Sequence, residues 1–346
     1  MTVVPINTTG GLTVADAGER ELVARVRARA GTPPSFVPIS IGDDAAVIEP
    51  PRGALDVVTT DVLVEGVHFR RDWTAPEAIG AKAVAVNFSD LAAMGAAPRV
   101  VLLSLVLPPS LPLGEFDALI GGVVTACTDA GAALVGGNLA RSPGPLIIDI
   151  TAIGAAKRRR VLTRGGGRAG DALYVTGAVG GAAAGLAILL AGADRAALDP
   201  ESVACVARYE RPVARVRCGR MVAARRAASA CMDLSDGLAD AVRQLAEASG
   251  TGAQLDAEAV PLEPGAARRL GRDEADATVA AIGGGEDYEL LFAVRPRRRK
   301  AFLAAVRQAG SLPVTLVGRL TGDSAVTLMR GGVPSTLNSG FRHFQA

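Results

Sequence analysis

The spacing of apolar and polar positions predicts a chain in which helices and strands alternate. Leu22, Val23 and Val26 fall on one face of a helix over 16–30 that ends before Gly31. The same reasoning predicts further helices over 75–94, 113–130, 211–229 and 300–309 and one that starts at Leu238. It predicts strands over 45–48, 55–60, 100–107, 133–135, 146–154, 172–176, 231–233, 279–294, 314–320 and 325–329. Because strands and helices mix in both halves, we expect α/β or α+β domains.

The domain boundary is expected where the apolar pattern is interrupted. A chain of 346 residues exceeds what one core usually organises, which favours two domains. The basic run Lys157–Arg160 and the glycines up to Gly170 interrupt the pattern, although such a run is also typical of a solvated surface. We expect a flexible tail over 1–15, an N-terminal domain over 16–156, a linker over 157–170 and a C-terminal α/β domain over 171–346.

Composition excludes some classes of partner. Lys and Arg total 37 against 35 Asp and Glu, and this balance gives no bulk attraction to nucleic acid or membranes. The uncharged stretch 172–193 is interrupted by glycines and predicts a strand, a turn and a small-residue helix rather than a membrane span. Four scattered cysteines without CxxC spacing indicate reduced thiols, so we expect a cytoplasmic protein.

Acidic residues gather in short clusters next to glycine, serine or threonine. The clusters are Gly42-Asp43-Asp44, Thr59-Thr60-Asp61, Ser89-Asp90, Asp233 to Gly237 and Gly283 to Asp287. Magnesium takes oxygen ligands and keeps room for water and phosphate oxygens, and glycine lets a phosphate approach the backbone closely. A single pair of this kind is usually a turn or a helix cap, and Asp236 is a good cap candidate. Five clusters in one chain favour a shared metal-phosphate site.

Other nucleotide and catalytic signatures are missing. No GxxxxGK[ST] or protein-kinase motif set occurs, and the GxGxxG match from Gly165 to Gly170 follows a basic run and leads into a strand, which is the wrong context for a dinucleotide site. His68 and His343 are the two histidines, too few for a histidine-rich zinc site.

At these clusters the chain resembles the thiamine-monophosphate kinases, relatives of aminoimidazole ribonucleotide synthetase and selenophosphate synthetase. The matching stretches run in family order: GDDAAVI from Gly42, TTDVLVEGVHF from Thr59, KAVAVNFSDLAAMGAAP from Lys82, LTRGG from Leu162, MDLSDGL from Met232 and GGEDYELLF from Gly284. The VEGVHF and GGEDYELLF stretches separate this family from its relatives.

The resemblance implies a fold and a reaction. It implies an N-terminal sheet domain that forms a homodimer and a C-terminal α/β domain, as in aminoimidazole ribonucleotide synthetase. It implies in-line phosphoryl transfer from ATP to thiamine monophosphate with several Mg²⁺ ions.

The resemblance also implies a set of site residues. The implied metal ligands are Asp44, Thr59, Thr60, Asp61, Asp90, Asn138, Asp233 and Asp236. Catalytic roles are implied for Asp61, Asp90 and Arg164, ATP binding for Gly137, Asn138, Arg164 and Ser235, and substrate binding for His68, Glu286 and Phe341.

One position departs from the family pattern. The family usually has Gly-Gly-Asp-Thr where this chain has Gly136-Gly137-Asn138-Leu139, which replaces a charged metal ligand by a neutral carbonyl. Two alternatives therefore stay open beside the kinase: an ATP-dependent ligase or synthetase of the same superfamily, and a non-catalytic nucleotide-binding paralogue.

Overall fold

The structure is a computed structural model that describes residues 11–271 and 273–337. The chain divides into two compact units. The first comprises the chain up to Pro50 together with Thr60–Val84 and Arg99–Ala152. The second comprises Pro51–Thr59, Ala85–Pro98 and the chain from Ile153 onward. Phe341 lies outside the described residues.

The N-terminal half of the chain forms a four-stranded sheet with three long helices. Its elements are α1 (Val14–Ala30), β1 (Leu55–Val64), α2 (Pro76–Ala93), β2 (Ala97–Leu107), α3 (Leu113–Asp129), β3 (Ala133–Arg141) and β4 (Ile147–Ala156). The strand order is β1-β4-β2-β3, and β2 pairs with β3 in parallel. A capping box between Thr13 and Asp16 starts α1.

Glycine allows α2 and α3 to cross closely. A Cβ atom added at Gly80 would lie 2.2 Å from the carbonyl oxygen of Leu119, and one added at Gly122 would lie 2.0 Å from that of Glu77. Side chains at these positions would force the helices apart.

The C-terminal half forms a seven-stranded mixed sheet. Its helices are α4 (Gly181–Leu190), α5 (Pro200–Glu210), α6 (Val216–Ala224), α7 (Leu238–Ser249), α8 (Ala266–Leu270), α9 (Glu274–Gly283) and α10 (Arg299–Ala309). Its strands are β5 (Ala172–Thr176), β6 (Ala230–Asp233), β7 (Gly252–Asp256), β8 (Leu290–Val294), β9 (Val314–Thr321), β10 (Val326–Arg330) and β11 (Val333–Thr336). The strand order is β11-β10-β7-β9-β5-β8-β6.

At strand β8 both faces of this sheet are buried. Leu291 and Ala293 of β8 join the hydrophobic cluster that includes α7, whereas Phe292 and Val294 join a second cluster with α6 and α10. Because neighbouring residues of a strand point to opposite faces, β8 is apolar at every position. In the second cluster the Phe292 and Phe302 rings pack edge to face, with centroids 5.3 Å apart.

The predicted α/β class is confirmed, and most predicted elements occur within a few residues of their expected bounds. The strand expected over 45–48 is wrong, because Val47 makes an isolated bridge with Ile39. The strand expected over 279–294 is wrong in its first part, where residues up to Gly283 belong to α9. The helix expected over 211–229 is reduced to α6. In the described part of the chain, no helix is long and apolar enough to cross a membrane.

Candidate active site

A cavity of about 270 Å³ in the second unit brings several of the predicted residues together. Thr59, Asp90, Arg164 and Asp233 line it, together with apolar residues that include Met94. These four residues come from β1, α2, the segment before β5 and the end of β6. The cavity therefore combines a hydroxyl, two carboxylates and a guanidinium group.

Small residues hold the end of α2 in place. A Cβ atom added at Gly219 of α6 would lie 1.9 Å from the carbonyl oxygen of Ala92. Gly95 adopts a φ of +69°, and a Cβ atom there would lie 2.4 Å from that of Ala223. The close approach of α6 to the end of α2 fixes the turn of α2 that carries Asp90.

The Thr59 hydroxyl donates a hydrogen bond of 2.5 Å to Asp90 Oδ2. Burial raises the pKa of Asp90, while this hydrogen bond and the charge of Arg164 lower it. Because burial raises the pKa of Asp90, a cation beside this residue would stabilise its charged form.

Asp233 is held from α2 as well. The Ser89 hydroxyl donates to Asp233 Oδ2 over 2.8 Å, and both residues are buried. Two consecutive residues of α2 therefore belong to the site, since Asp90 lines the cavity and Ser89 contacts a second residue that does.

Arg164 is oriented by α7. Its Nη1 donates to Gln244 Oε1 over 2.5 Å. The glycines that follow pack against the end of the same helix, because a Cβ atom on Gly165 would lie 2.6 Å from the carbonyl oxygen of Ala248. These glycines thus permit close packing and lead into β5, which agrees with the rejection of a dinucleotide-binding loop.

The segment 284–289 pairs with the segment that carries Ser235. The Glu286 N–H donates to the Ser235 carbonyl over 2.7 Å, and the Tyr288 N–H donates to the Leu234 carbonyl over 3.0 Å. Glu286 and Tyr288 have φ values of 68° and 49°, which are rare for residues with side chains. Such strain is common at functional sites. The pairing of the two segments brings the predicted substrate residue Glu286 next to the predicted ATP residue Ser235.

Two buried acids in this segment were given no site role from the sequence, although Asp287 belongs to one of the acidic clusters. Asp287 accepts hydrogen bonds from the N–H groups of Gly180 and Ala182 at the start of α4, over 2.7 and 3.2 Å. Glu289 is fully buried and forms ion pairs with Arg208 and Arg215. Their position within the GGEDYELLF stretch was the available signal, and both hold the strained segment in place.

In the first unit, His68 is held by two neighbours. The Val64 N–H donates to His68 Nδ1 over 3.0 Å, so in the neutral ring the proton is on Nε2. The buried Lys82 donates from Nζ to the His68 carbonyl over 3.0 Å. In this tautomer the Nε2–H group of His68 is a hydrogen-bond donor.

The remaining predicted residues of the first unit lie on its loops and sheet edges. Asp44 is on an exposed loop, and the Thr60 hydroxyl bonds to Asp149 Oδ1 and the Ile150 carbonyl over 3.0 and 3.1 Å. Asp61 on β1 and Asn138 on β3 occupy opposite edge strands, with β4 and β2 between them. Three strand spacings, about 14 Å, exceed what two short side chains can bridge through one ion.

Gly137, next to Asn138, has a φ of +154° and lies against β2, where a Cβ atom would lie 1.8 Å from the Leu103 carbonyl oxygen. Asp236 is not the cap of α7, because the N-cap is the next residue, Gly237, which has a φ of 96°.

Among residues 11–271 and 273–337, no three His, Cys, Asp or Glu side chains form a metal-binding group by themselves.

Comparison with known proteins extends over nearly the whole chain. The family model of the AIR synthase related protein N-terminal domain matches residues 42–156, and that of the C-terminal domain matches residues 168–330. The chain is 37% identical to the thiamine-monophosphate kinase of Salmonella typhimurium, over 94% of this chain and 98% of that protein.

Two solved structures have the same fold. The thiamine-monophosphate kinase of Stenotrophomonas maltophilia is 35% identical with a TM-score of 0.78, covering 89% of this chain and 95% of that one. A structure described as AaThiL complexed with AMPPCP and TMP is 32% identical with a TM-score of 0.74, covering 96% and 99%. The predicted two-domain fold is thus confirmed.

Proposed function

We propose that this chain, which belongs to the thiamine-monophosphate kinase family, transfers the terminal phosphoryl group of ATP to thiamine monophosphate and produces thiamine diphosphate. The observation that carries the proposal is the cavity at which Thr59, Asp90, Asp233 and Arg164 meet. The carboxylate and hydroxyl oxygens and the Arg164 guanidinium group are the kinds of group that phosphoryl transfer requires. The AMPPCP and TMP of the related complex fit the same pair of reactants.

The acceptor is already an anion near neutral pH, so the reaction needs no strong general base. The main barrier is the approach of two polyanions. Arg164, held by Gln244, would neutralise charge on the ATP phosphates, and the backbone around Ser235 would help to position them. The protonated Nε2 of His68 would donate to the phosphate of thiamine monophosphate, and the carboxylate of Glu286 would contact the cationic part of the substrate. Phe341 would contribute an aromatic ring.

Several Mg²⁺ ions would supply the remaining charge neutralisation. The donor set fits this ion, since it consists of carboxylates and hydroxyls, and a cation would stabilise the charged form of Asp90, whose pKa burial raises. The residues proposed to hold these ions are Asp44, Thr59, Thr60, Asp61, Asp90, Asn138, Asp233 and Asp236. For Thr60 the backbone carbonyl is the better ligand, because its hydroxyl is bonded to β4. The proposed ATP contacts also include Gly137 and Asn138.

A homodimer formed by the N-terminal sheet is part of the proposal. Val58 and Val62 on the edge strand β1 are exposed, although both are apolar. A partner sheet would cover them. A second copy would also be required for any ion that Asp61 and Asn138 share, because one copy keeps them on opposite edges.

We further place the protein in the cytoplasm, which suits four free, buried cysteines. The domain bounds 16–156 and 171–346 stay a prediction.

The test is ATP turnover by the purified protein with thiamine monophosphate, thiamine and aminoimidazole precursors compared side by side. We expect ADP and thiamine diphosphate with the first acceptor alone. Turnover with an aminoimidazole precursor instead would identify a ligase or synthetase. ATP binding without any turnover would identify a non-catalytic paralogue.

A further inference from the structure

Ser89 and Asp233 are 144 positions apart in the chain and meet inside the second unit. The Ser89 hydroxyl donates to Asp233 Oδ2 over 2.8 Å, and the two residues are 0% and 3% exposed. A buried carboxylate that accepts from a buried hydroxyl is an oriented group, since the bond restrains both side chains.

We propose that Ser89 is a positioning residue for the metal-binding carboxylate of Asp233, an inference that rests on the proposed function. A serine inside a helix usually bonds to a carbonyl of its own helix or faces solvent. Ser89 instead reaches from α2 to the end of β6, where it engages one oxygen of a residue that lines the cavity. The bond restrains the orientation of the Asp233 carboxylate.

The position of Ser89 in the sequence supports this role. The next residue, Asp90, lines the same cavity and accepts a hydrogen bond from Thr59. One turn of α2 therefore sets the orientation of two carboxylates, and the close contact between Gly219 and Ala92 holds that turn against α6. Groups that hydrogen-bond to metal ligands in this way typically contribute 10- to 100-fold to metal affinity.

The test compares Ser89→Ala with the unchanged protein. Mn²⁺ affinity is measured by calorimetry in the presence of AMPPCP, which does not depend on turnover. We expect the variant to bind Mn²⁺ about 10-fold more weakly. We also expect a higher Mg²⁺ concentration at half-maximal rate, with kcat at saturating Mg²⁺ little changed, because the ligand itself remains.

Ser202→Ala is the matched control. Ser202 is also buried in a helix and also donates over 2.8 Å to an aspartate, Asp199, but it does not line the cavity. The Ser202→Ala variant should therefore bind Mn²⁺ as tightly as the unchanged protein. In an Asp233→Asn background, Ser89→Ala should cause little further loss if it acts through Asp233. If Ser89→Ala fails to fold, Ser89→Cys takes its place, because cysteine keeps the size and a weak donor. Ser89→Cys should bind Mn²⁺ with an intermediate affinity.

Each outcome decides the inference. Equal Mn²⁺ affinity in the unchanged protein and a folded Ser89 variant overturns the positioning role and leaves the kinase proposal intact. Additive losses from Ser89→Ala and Asp233→Asn overturn it as well. If the unchanged protein binds no Mn²⁺ with AMPPCP, the metal part of the proposed function fails together with the inference. A loss confined to Ser89 variants with normal thiamine diphosphate formation at high Mg²⁺ supports both.

Discussion

Lys82 Nζ lies 3.0 Å from the backbone carbonyl oxygen of His68, to which it donates a hydrogen bond, although the lysine is 1% exposed. The Val64 N–H fixes the other side of His68 by donating to its ring. The two bonds hold both the backbone and the imidazole. A buried ammonium group is costly unless it is well bonded, so this position is expected to matter for the geometry of His68.

Lys82→Met should therefore weaken thiamine monophosphate binding. Methionine keeps the length but has no donor, so the His68 carbonyl loses a charged partner. We expect KM for thiamine monophosphate to rise about 10-fold, the equivalent of about 1.4 kcal/mol, with a smaller change in kcat. Steady-state kinetics measure this, with the exposed Lys157→Met as the control. An unchanged KM in a folded variant would show that His68 does not depend on Lys82.

Asp90→Asn should suppress turnover strongly while the fold is kept. The amide matches the carboxylate in size but removes the charge that the proposed Mg²⁺ ions require, and we expect a loss of kcat of roughly 100-fold or more. Asp61→Asn should behave similarly. Circular dichroism checks the fold, and the exposed Asp129→Asn at the end of α3 serves as the control. Near-normal activity of either site variant at modest Mg²⁺ would refute the metal role of that residue.

The sequence correctly predicts elements whose apolar pattern is long and uninterrupted. Prediction fails where contacts with another part of the fold decide the conformation. The strand β5 has the expected bounds of 172–176 because its alternate faces are both buried. The run 45–48 is apolar enough for a strand, but within residues 11–271 and 273–337 its strand pairing is limited to the single bridge between Val47 and Ile39. The strand β7 was missed because Gly252 and Gln254 are atypical for a strand, and its place in the sheet depends on pairing with β9 and β10.

In the candidate site, too, the sequence identified some residues, whereas other features depend on contacts that the fold creates. Resemblance and clustering of acids identified Asp90, Asp233 and Arg164, which the structure places around one cavity. The bond from Ser89 to Asp233 joins residues distant in sequence, so no local pattern could predict it. The strained φ of Glu286 is likewise imposed by pairing with residues 234–235, not by the local sequence.

Asp287 should make stability depend on pH. Burial raises its pKa from the usual 3.8 to about 7, against the lowering effect of two backbone N–H groups. The folded state therefore favours the protonated form. Its contribution to stability is fully present below about pH 3.8 and is lost as pH rises through about 7. Between about pH 5 and pH 8 the free energy of unfolding should fall by roughly 2 kcal/mol.

Guanidinium unfolding across that pH range measures the effect, and Asp287→Asn is the comparison because it cannot ionise. The difference between the two slopes isolates Asp287 from other titrating groups. Parallel slopes would mean that Asp287 stays ionised in the folded protein.

A homodimer predicts a mass in solution of twice 35.1 kDa. Val62→Arg should shift the protein toward monomer, because it replaces one of the exposed apolar side chains of β1 by a charged one. Val203→Arg is a matched control, since Val203 is 49% exposed and Val62 is 48% exposed. Light scattering at micromolar concentration decides the matter. A monomer in the unchanged protein would contradict the proposal, and equal masses for both variants would remove β1 from the interface.

Asn138 is the position at which this chain departs from its family, and the effect should appear in its magnesium requirement. An amide carbonyl can coordinate Mg²⁺, but without a full charge it should hold the ion less tightly than a carboxylate. Asn138 is exposed on the edge strand β3, so Asp fits there without disturbing the core. Asn138→Asp should lower the Mg²⁺ concentration at half-maximal rate by roughly 3- to 10-fold, the range expected for one added charge near a partly solvated ion.

A titration of rate against Mg²⁺ for both proteins tests this. The control is Gln254→Glu, which adds the same charge on β7. If Asn138 instead suits a different acceptor, Asn138→Asp will not help thiamine monophosphate, and the midpoint will not move. No shift, together with negligible thiamine diphosphate formation by both proteins, would favour the ligase or the non-catalytic alternative. A lower midpoint with an unchanged product would mean that the asparagine weakens one metal site without altering the reaction.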